Sequence, residues 1–295
     1  MKHFSIVKKA KVFFSISLIF LLVGVVSMLT RGFNLGIDFT GGSIIDVKFE
    51  NPVTVSEVRD VLSDHKLGSS IIQLGSMDGQ QTEESQSVLI RTGIISDDQL
   101  VETMTDMTNR LGPNEVLRVE NVGATVGRDL VKSAMGAVAL SWVLMIIYIT
   151  IRFEHNFAFA AIIALIIDVM VTLSWFSLLQ LEMDSSFVAA LLTVVGYSIN
   201  GTIVIFDRIR ENLHTHRRSE SLGDMVDNSI WQTMNRSIYT SATTLFAVIA
   251  IFLFGGETIR NFSFAMLVGF SSGFYTSTFL AGPLWIKLRS RGTHK

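Results

Sequence analysis

The chain has 295 residues, of which 49% are hydrophobic and 17% are charged, and its mean hydropathy is +0.46. These values are typical of a membrane protein and exclude an ordinary soluble domain. The sequence has no cysteine, which excludes disulfide frameworks, cysteine-based zinc sites and thiol nucleophiles, and the formal net charge of −2 gives no reason to expect a nucleic-acid partner.

Six apolar segments are long enough to cross a bilayer, for which a helix needs about 20 residues. They lie near residues 12–30, 133–151, 157–180, 186–206, 237–255 and 262–286. The first segment is longer than the core of a cleaved signal peptide and lacks a small-residue cleavage site, so we interpret it as a span. We therefore expect a multi-pass protein in contact with membrane lipids.

Lysine and arginine residues gather at three places, all of which six spans would put on the same side of the membrane. These places are the N-terminal segment, the loop after the fourth span and the tail, with Lys2, Lys8, Lys9, Lys11, Arg208, Arg210, Arg217, Arg218, Lys287, Arg289 and Arg291. By the positive-inside rule this side is the cytoplasm, so we expect both termini inside.

The segment between the first two spans, residues 31–132, should form one folded domain outside the cytoplasm. Its patterns predict strands at 43–49, 70–74, 87–92 and 116–122 and helices at 56–65 and 97–111. This order is β-α-β-β-α-β, the ferredoxin-like motif. Ser96 and Gln99 predict a capping box, Met104 and Met107 recur at helical spacing and should pack on the sheet, and the polar residues 76–87 predict a solvated hairpin loop.

The predicted fold is a polytopic α-helical membrane protein with six transmembrane helices and one extracytoplasmic α+β ferredoxin-like domain. A polar segment after the fourth span, at 219–235, predicts an amphipathic helix on the cytoplasmic surface. The expected division is a cytoplasmic N-terminus and first span (1–30), the external domain (31–132), spans two to six (133–286) with the cytoplasmic amphipathic segment (207–236), and a cytoplasmic tail (287–295).

A glycine-rich motif, G-I-D-F-T-G-G, lies just before the predicted domain. Gly36, Gly41 and Gly42 release the backbone for a tight turn, and Asp38 can bond local N–H groups. Because the motif lacks the lysine and the spacing of a phosphate-binding loop, we interpret it as a structural turn beside the membrane.

Asp168 lies in the middle of the third span. A carboxylate there costs about 3 kcal/mol or more, so it should be protonated, paired or facing water. Two interpretations have equal weight. Asp168 either bonds Ser and Thr residues of neighbouring helices for packing, or it takes part directly in an ion pathway.

The fourth and fifth spans also carry polar groups. Asn200 and Asp207 share a helical face with Gly196, and Asp207 opens a charged run that either anchors the helix end or belongs to an ion pathway. Arg236 leads into a face with hydroxyl groups and needs an acceptor or water where it meets the membrane. The candidate acceptors are Asp207, Asp168 or a carboxylate on a partner.

These segments together resemble the SecF family of protein-export membrane subunits. The fourth span follows its pattern G-Y-S-x-N-D-[ST]-[IV]-V-x-x-D-R-I-R-E-N, the fifth follows N-x-S-x-x-Q-T-x-x-R, the third is similar to A-L-x-H-D-V, and the glycine-rich motif is similar to G-[IL]-D-F-x-G-G. Two positions differ from these patterns. Ile167 stands where histidine is common, and Gly201 stands where the family has an aspartate inside the membrane.

The resemblance implies a subunit of the bacterial cytoplasmic membrane that works with a six-span SecD-like partner beside the SecYEG channel. Such a complex uses an ion gradient to assist the late translocation of preproteins. In the resembled proteins the arginine at position 236, the aspartate of the fourth span and an aspartate on SecD form the proton pathway. With Gly201 in the second of these places, coupling must depend on another carboxylate or be absent.

Two alternatives remain beside this function. One is a structural subunit of the same complex without a coupling role, which Gly201 favours, and the other is half of a lipid or drug exporter. No enzymatic activity is expected, because no nucleophile, base and orienting group occur at a recognisable spacing. No cofactor or metal is expected either, since His214 and His216 have no further ligand at metal spacing.

Overall fold

The computed structural model describes residues 4–75, 84–215 and 221–292. Over these residues the elements are, in chain order, α1 (Ala10–Arg31), β1 (Asn34–Leu35), α2 (Ile37–Thr40), β2 (Gly42–Thr54), α3 (Val55–Asp64), β3 (Ile71–Gly75), β4 (Glu84–Thr92), α4 (Asp97–Leu111), β5 (Asn114–Val122), α5 (Ala124–Arg152), α6 (His155–Leu179), β6 (Glu182–Met183), α7 (Ser185–Thr215), α8 (Leu222–Phe254), a short 3₁₀ turn (Glu257–Ile259), α9 (Arg260–Tyr275), a π-helical segment (Thr276–Ala281) and α10 (Gly282–Gly292). Most of the predicted loop at 76–87 lies outside the described residues, as do Lys2, His216, Arg217 and Arg218.

The chain divides into two compact units, which are Leu35–Met135 and the combination of Met1–Asn34 with Gly136–Lys295. The smaller unit contains an antiparallel sheet of four strands in the order β3-β4-β2-β5. Counted within the domain this order is 2-3-1-4, so the two strands at the centre come first and third. Helices α3 and α4 pack on the sheet, and the predicted β-α-β-β-α-β order is confirmed.

Local capping explains where the helices of this unit begin. Thr54 and Glu57 form a full capping box at the start of α3: the Glu57 N–H donates to Thr54 Oγ1 at 3.2 Å, and Glu57 accepts the Thr54 N–H at 2.8 Å. The predicted box at Ser96 is only half formed. Ser96 Oγ accepts the N–H of Gln99, but the Gln99 amide instead donates to the carbonyl of His65 at 3.1 Å, because α3 ends beside α4.

Methionine side chains of α4 contribute to the core of the domain. Met107 is fully buried and Met104 is nearly so, among the inward residues of the sheet and of α3. The interpretation of these methionines as packing residues is therefore confirmed.

Six helices within the described ranges are long and apolar enough to span a membrane, which confirms the predicted fold class. They are Ala10–Arg31, Ala124–Arg152, His155–Leu179, Ser185–Thr215, Leu222–Phe254 and Arg260–Ser290, called here the first to sixth spans. Residues 222–235, which make up most of the predicted amphipathic helix, are helical, and this helix does not end before the fifth span. Ser221 caps the helix by accepting the Asp224 N–H at 3.1 Å, and the helix then continues without a break into the fifth span.

The spans differ in how much the chain itself covers them. Half of the apolar window is buried in the third and sixth spans, against 6% in the second and 11% in the fifth. Gly269 explains the close approach of the sixth span to the fourth, since a Cβ at this position would lie 2.2 Å from Val194 Cγ2. Gly273, four residues further on, lies against Ser198 in the same way, so the sixth span packs against the fourth at its small residues.

The sixth span departs from regular α-helix at Thr276–Ala281, where it is π-helical. Pro283, two residues after the segment, has no N–H to donate, which removes one hydrogen bond of a regular helix. A π-helical stretch inside an α-helix is rare and occurs often at functional positions. Thr276 lies at its start, beside the buried carboxyl group described next.

Candidate functional site

Asp168 is completely buried in the third span, and hydroxyl groups of two other spans surround its carboxyl group. Ser272 Oγ donates to Asp168 Oδ1 at 2.6 Å, and Thr276 Oγ1 lies 2.9 Å from both carboxyl oxygens. Ser198 of the fourth span also donates to the carboxyl group. The third, fourth and sixth spans therefore meet at one hydrogen-bonded centre, called here the Asp168 ring (Asp168, Ser198, Ser272 and Thr276).

The Asp168 ring is satisfied within the chain. None of the side chains that bond Asp168 carries a charge, so hydrogen bonds alone offset the burial of the group. This arrangement has the contacts expected for a packing role, with Ser and Thr of neighbouring helices as partners. A direct part in ion movement stays a prediction.

A second polar centre lies between the fourth, fifth and sixth spans. It is a cavity of about 80 Å³, called here the Arg236 cavity, with Asn200, Gly201, Arg236, Thr240 and Ser277 in its lining. A water molecule takes about 30 Å³ of liquid volume, so the cavity has room for a few waters. The structure thus brings together three of the predicted site residues, Asn200, Gly201 and Arg236.

Arg236 has no counter-charge in the part of the chain that the structure describes. Its side chain is exposed and makes no hydrogen bond or ion pair there, and the same is true of Asn200. A guanidinium is charged at any physiological pH and donates up to five hydrogen bonds. At membrane depth it requires water or an acceptor from outside this chain.

Neither carboxylate proposed from the sequence reaches Arg236. Asp168 bonds the hydroxyls of its own ring, and Asp207 pairs with Arg152 at 3.1 Å and with Arg210 at 3.5 Å. Of the three candidate acceptors, only a group on another molecule is left.

Asp207 lies in a charged cluster at the end of the fourth span, with Arg152, Arg210, Glu211 and His214 around a separate open pocket. Arg152 and Arg210 also stack over the ring of Phe153, with guanidinium-to-centroid distances of 5.1 and 5.7 Å. These contacts agree with an anchoring role for the charged run. The sequence analysis missed Arg152, whose only signal was its place at the end of the second span.

The two family-like segments of the fourth and fifth spans bond each other. Arg208 Nε donates to Gln232 Oε1 at 2.6 Å, and the Asn212 amide donates to Gln232 Oε1 at 2.9 Å and to Ser229 Oγ at 2.8 Å. Tyr197 and Ser241 join the same spans at 2.9 Å beside the Arg236 cavity. These bonds fix the fifth span, and with it Arg236, against the fourth.

Gly201 has little free space on its side of the cavity. A Cβ at this position would lie 3.3 Å from Ser277 Oγ and 3.6 Å from Ser277 Cβ. The obstacle is a small side chain rather than backbone. A larger residue therefore needs only a small movement of Ser277.

The glycine-rich motif forms a tight turn in the smaller unit. Gly36 precedes the single-turn helix α2, and Gly41 and Gly42 follow it with φ angles of 73° and 137°, which glycine alone adopts easily. A Cβ on Gly42 would lie 2.5 Å from the carbonyl oxygen of Thr92, and one on Gly127 would lie 3.2 Å from that of Asp38. Glycine is thus favoured at positions where two backbone segments approach closely, which agrees with the interpretation of the glycine-rich motif as a structural turn.

No group of three or more His, Cys, Asp or Glu side chains that could hold a metal ion occurs within residues 4–75, 84–215 and 221–292.

Comparisons with known proteins agree with this arrangement. Residues 102–291 match the family described as protein export membrane protein SecD/SecF, C-terminal, and residues 26–53 match the SecD/SecF GG motif. The chain is 78% identical to the protein translocase subunit SecF of Acidaminococcus fermentans over 99% of both chains. It is 42% identical to that of Sebaldella termitidis, covering 96% of this chain and 91% of the relative.

A solved structure with a similar fold is the crystal structure of SecDF, a translocon-associated membrane protein, from Thermus thermophilus. The TM-score is 0.88 at 31% identity, and the match covers 98% of this chain but only 39% of the SecDF chain. The similarity to SecF subunits runs over nearly the whole length of this chain. The chain therefore belongs to the SecF family of protein translocase subunits.

Proposed function

We propose that this chain works with a six-span SecD-like subunit in the bacterial cytoplasmic membrane and assists the late translocation of preproteins through a SecYEG channel. An ion gradient drives the cycle, and the charge of Arg236 belongs to the ion pathway. The orientation has both termini in the cytoplasm and residues 31–132 outside, as the distribution of basic residues predicts.

The observation that carries this proposal is the open Arg236 cavity. Its arginine is exposed on the surface of the spans and has no partner among the described residues, although the bundle satisfies Asp168 fully. A charge at membrane depth is retained only with a compensating group, and a carboxylate on a SecD-like subunit would supply it. The 39% coverage of the SecDF chain agrees with a larger assembly in which this chain is one part.

Gly201 limits which group can couple the cycle to ions. Glycine has no side chain, so no proton can be taken up at this position. In our proposal the carboxylate facing Arg236 carries the coupling, and Asn200 with a few waters fills the space beside Gly201. The second candidate, a structural subunit without coupling, is favoured by the same residue. Half of a lipid or drug exporter is not favoured by the translocase names of the relatives.

The test is preprotein release from vesicles that contain the channel, the SecD-like partner and either the native chain or Arg236→Leu, under an imposed ion gradient. We expect Arg236→Leu to slow gradient-dependent release at least tenfold while the complex still assembles. Neutralising the partner's membrane carboxylate should give the same loss. Arg236→Lys, which keeps the charge, should retain part of the activity.

Arg260 gives a matched control, because it lies at the start of the sixth span and stacks on Phe252 away from the Arg236 cavity. Arg260→Leu should leave gradient-dependent release unchanged. If release by Arg236→Leu still responds to the gradient and to a protonophore like the native complex, Arg236 is an anchor. The structural-subunit function then replaces the one proposed.

A further inference from the structure

The first, third and sixth spans border an apolar groove of about 580 Å³, which shares no lining residue with the charged cluster at Asp207. Aromatic rings form much of its wall, with Trp175 between Phe20 at 5.5 Å and Phe264 at 6.4 Å. The exposed hydroxyl of Ser271 bonds its own helix at Leu267, so the lining offers little to a polar ligand. In a membrane, such a groove faces hydrocarbon.

The length of the groove matches one leaflet of a bilayer. Ile167 and Leu179 line it on the third span and are twelve residues apart, which is about 18 Å along a helix. The hydrocarbon core of a bilayer is about 30 Å thick, so one leaflet takes about 15 Å. The groove therefore runs from the end of the third span to the middle of the membrane, as an acyl chain does.

A positive charge lies at the end of the groove. Arg31, the last residue of the first span, donates from Nη1 to the carbonyl of Leu178 at 3.3 Å, and the next residue, Leu179, lines the groove. Arg31 is exposed and forms no ion pair within the described ranges. A guanidinium at the membrane surface binds phosphate well, with two parallel hydrogen bonds.

We propose that this groove is a binding site for one phospholipid, with an acyl chain between the first, third and sixth spans and the phosphate on Arg31. The lipid belongs to the leaflet at the Arg31 end of the spans, which is the outer leaflet in the orientation proposed above. An anionic lipid, such as phosphatidylglycerol, is bound in preference to a zwitterionic one, because no carboxylate of the described residues neutralises Arg31.

The inner end of the groove touches the Asp168 ring. Ser272 lines the groove and donates to Asp168 at 2.6 Å, and Tyr275, one turn further along, lines the groove as well. A bound acyl chain would therefore cover Ser272, which is 9% exposed, on this side of the ring. Asp168 itself is already fully buried by the chain.

The experiment counts lipids that stay bound to the full chain when it is released into a mass spectrometer from nanodiscs of phosphatidylcholine and phosphatidylglycerol. Ser271→Trp fills the groove from an exposed position. Thr193→Trp is the matched control, since Thr193 is also an exposed hydroxyl residue bonded to its own helix, at Ala189. We expect one retained lipid in the native chain and in Thr193→Trp, and at least a tenfold lower occupancy in Ser271→Trp.

A second pair of variants tests the head group. Arg31→Gln should reduce the preference for phosphatidylglycerol over phosphatidylcholine at least threefold, and Arg260→Gln should leave it unchanged. Leu267→Phe narrows the groove with a smaller change and should reduce occupancy even if Ser271→Trp does not fold.

Equal lipid retention by both groove variants and Thr193→Trp would overturn the site. An unchanged lipid preference in Arg31→Gln would overturn the assignment of the phosphate to Arg31. If the groove variants release a co-purified SecD-like partner while lipid retention stays the same, the groove is a protein interface and the proposal is wrong.

Discussion

Asp168 and Arg236 are both ionisable groups inside the same bundle of spans, but the chain treats them in opposite ways. Asp168 is fully buried and bonded by Ser198, Ser272 and Thr276, whereas Arg236 is exposed beside a small cavity and has no partner in the described residues. The described residues therefore supply hydrogen-bond partners for the carboxyl group of Asp168 but none for the guanidinium of Arg236.

The spans that carry Asp168 and Arg236 also differ in how much of their surface the rest of the chain covers. The third span, with Asp168, has half of its apolar window buried, and the fifth span, with Arg236, has 11%. An apolar helix without protein cover faces lipid or a partner, and a charge on such a helix selects the partner. The least covered spans are therefore the places where another subunit is expected to bind.

The largest effect is expected from removing the carboxyl group at the centre of the bundle. Asp168→Leu leaves the hydroxyls of Ser198 and Ser272 without the carboxyl acceptor, which should lower the free energy of unfolding by about 1–3 kcal/mol, while Thr276 can still donate to the carbonyl oxygen of Gly273 at 3.3 Å. Asp168→Asn keeps an acceptor and should lose less. Thermal unfolding of the purified chain in detergent measures both.

The control for this change is Asp129→Leu, because Asp129 is 69% exposed and its one ion pair with the described residues is with Lys132. Its unfolding temperature should equal that of the native chain. If Asp168→Leu proved as stable as Asp168→Asn, the hydroxyl ring would not depend on its carboxyl group.

A smaller effect is expected where the sixth span meets the fourth. Gly269→Ala places a methyl group 2.2 Å from Val194, and such overpacking should lower the free energy of unfolding by about 1–2 kcal/mol. Gly196→Ala is the control, since nothing lies within 4 Å of its Cβ, and it should be neutral or slightly stabilising. The same thermal measurement applies, and equal effects of the two changes would contradict the close contact.

Gly201→Asp would add a carboxyl group to the lining of the Arg236 cavity, so that the chain itself would supply a possible partner for Arg236. Ser277 must move only slightly, so we expect a stability cost below about 1 kcal/mol and normal assembly. The new acid lies beside Arg236 and should change the pH dependence of preprotein release in the vesicle assay. Gly201→Asn has the same shape without a charge and should not change it. If both variants showed the same pH dependence of preprotein release, the carboxyl group introduced by Gly201→Asp would not be the cause of the change.

Glu57 is a solvent-exposed carboxylate that, like the buried Asp168, accepts hydrogen bonds from neighbouring groups. Hydrogen bonds from the Thr54 N–H and hydroxyl lower the pKa of Glu57 below its usual 4.5. Because the pKa is lower in the folded state, the stabilisation is complete above about pH 4.5 and is lost as the pH falls through the lowered value.

Amide hydrogen exchange at the start of α3 checks this sign. At neutral pH the amides should exchange faster in Glu57→Gln than in the native chain, and the difference should disappear in acid. Glu102→Gln, an exposed substitution on α4, should show no difference at either pH. A difference that persisted in acid would refute the role of the ionised carboxylate.

The smallest effect is expected from Arg236→Leu on the isolated chain. Since the side chain has no partner within the described residues, the free energy of unfolding should change by less than about 0.5 kcal/mol. Thermal unfolding in detergent, compared with Asp168→Leu, measures the contrast. A loss as large as that of Asp168→Leu would mean that Arg236 is already satisfied inside the chain.

The sequence predicted most of the fold because its signals were local. Alternating strands and helical spacing placed the strands and helices of the smaller unit to within a few residues, and the apolar segments gave the six spans. The amphipathic helix predicted at 219–235 has no end of its own before the fifth span, because polar residues mark a change of environment but do not end a helix. No glycine or proline interrupts residues 224–254, so the helix continues into the membrane.

The sites could be predicted only in part, since they depend on contacts between distant residues. The Ser and Thr partners of Asp168 were expected as a type, but their identity depends on helix packing across 30 to 108 positions of sequence. The pairing of Asp207 with Arg152 was missed for the same reason. The place of Arg236 was predicted from its motif, whereas its lack of a partner required the structure.

The π-helical segment at Thr276–Ala281 also sets where the length of the sixth span can vary. A π turn holds one residue more than an α turn, so deleting one residue there leaves a regular α turn and keeps the rest of the helix in nearly the same orientation. Deleting one residue between Gly282 and Trp285 would instead turn Trp285 by about 100°, away from Phe157, on which it stacks at 4.6 Å. A change of one residue in chain length should therefore be tolerated better inside the π-helical segment than in the regular helix that follows it.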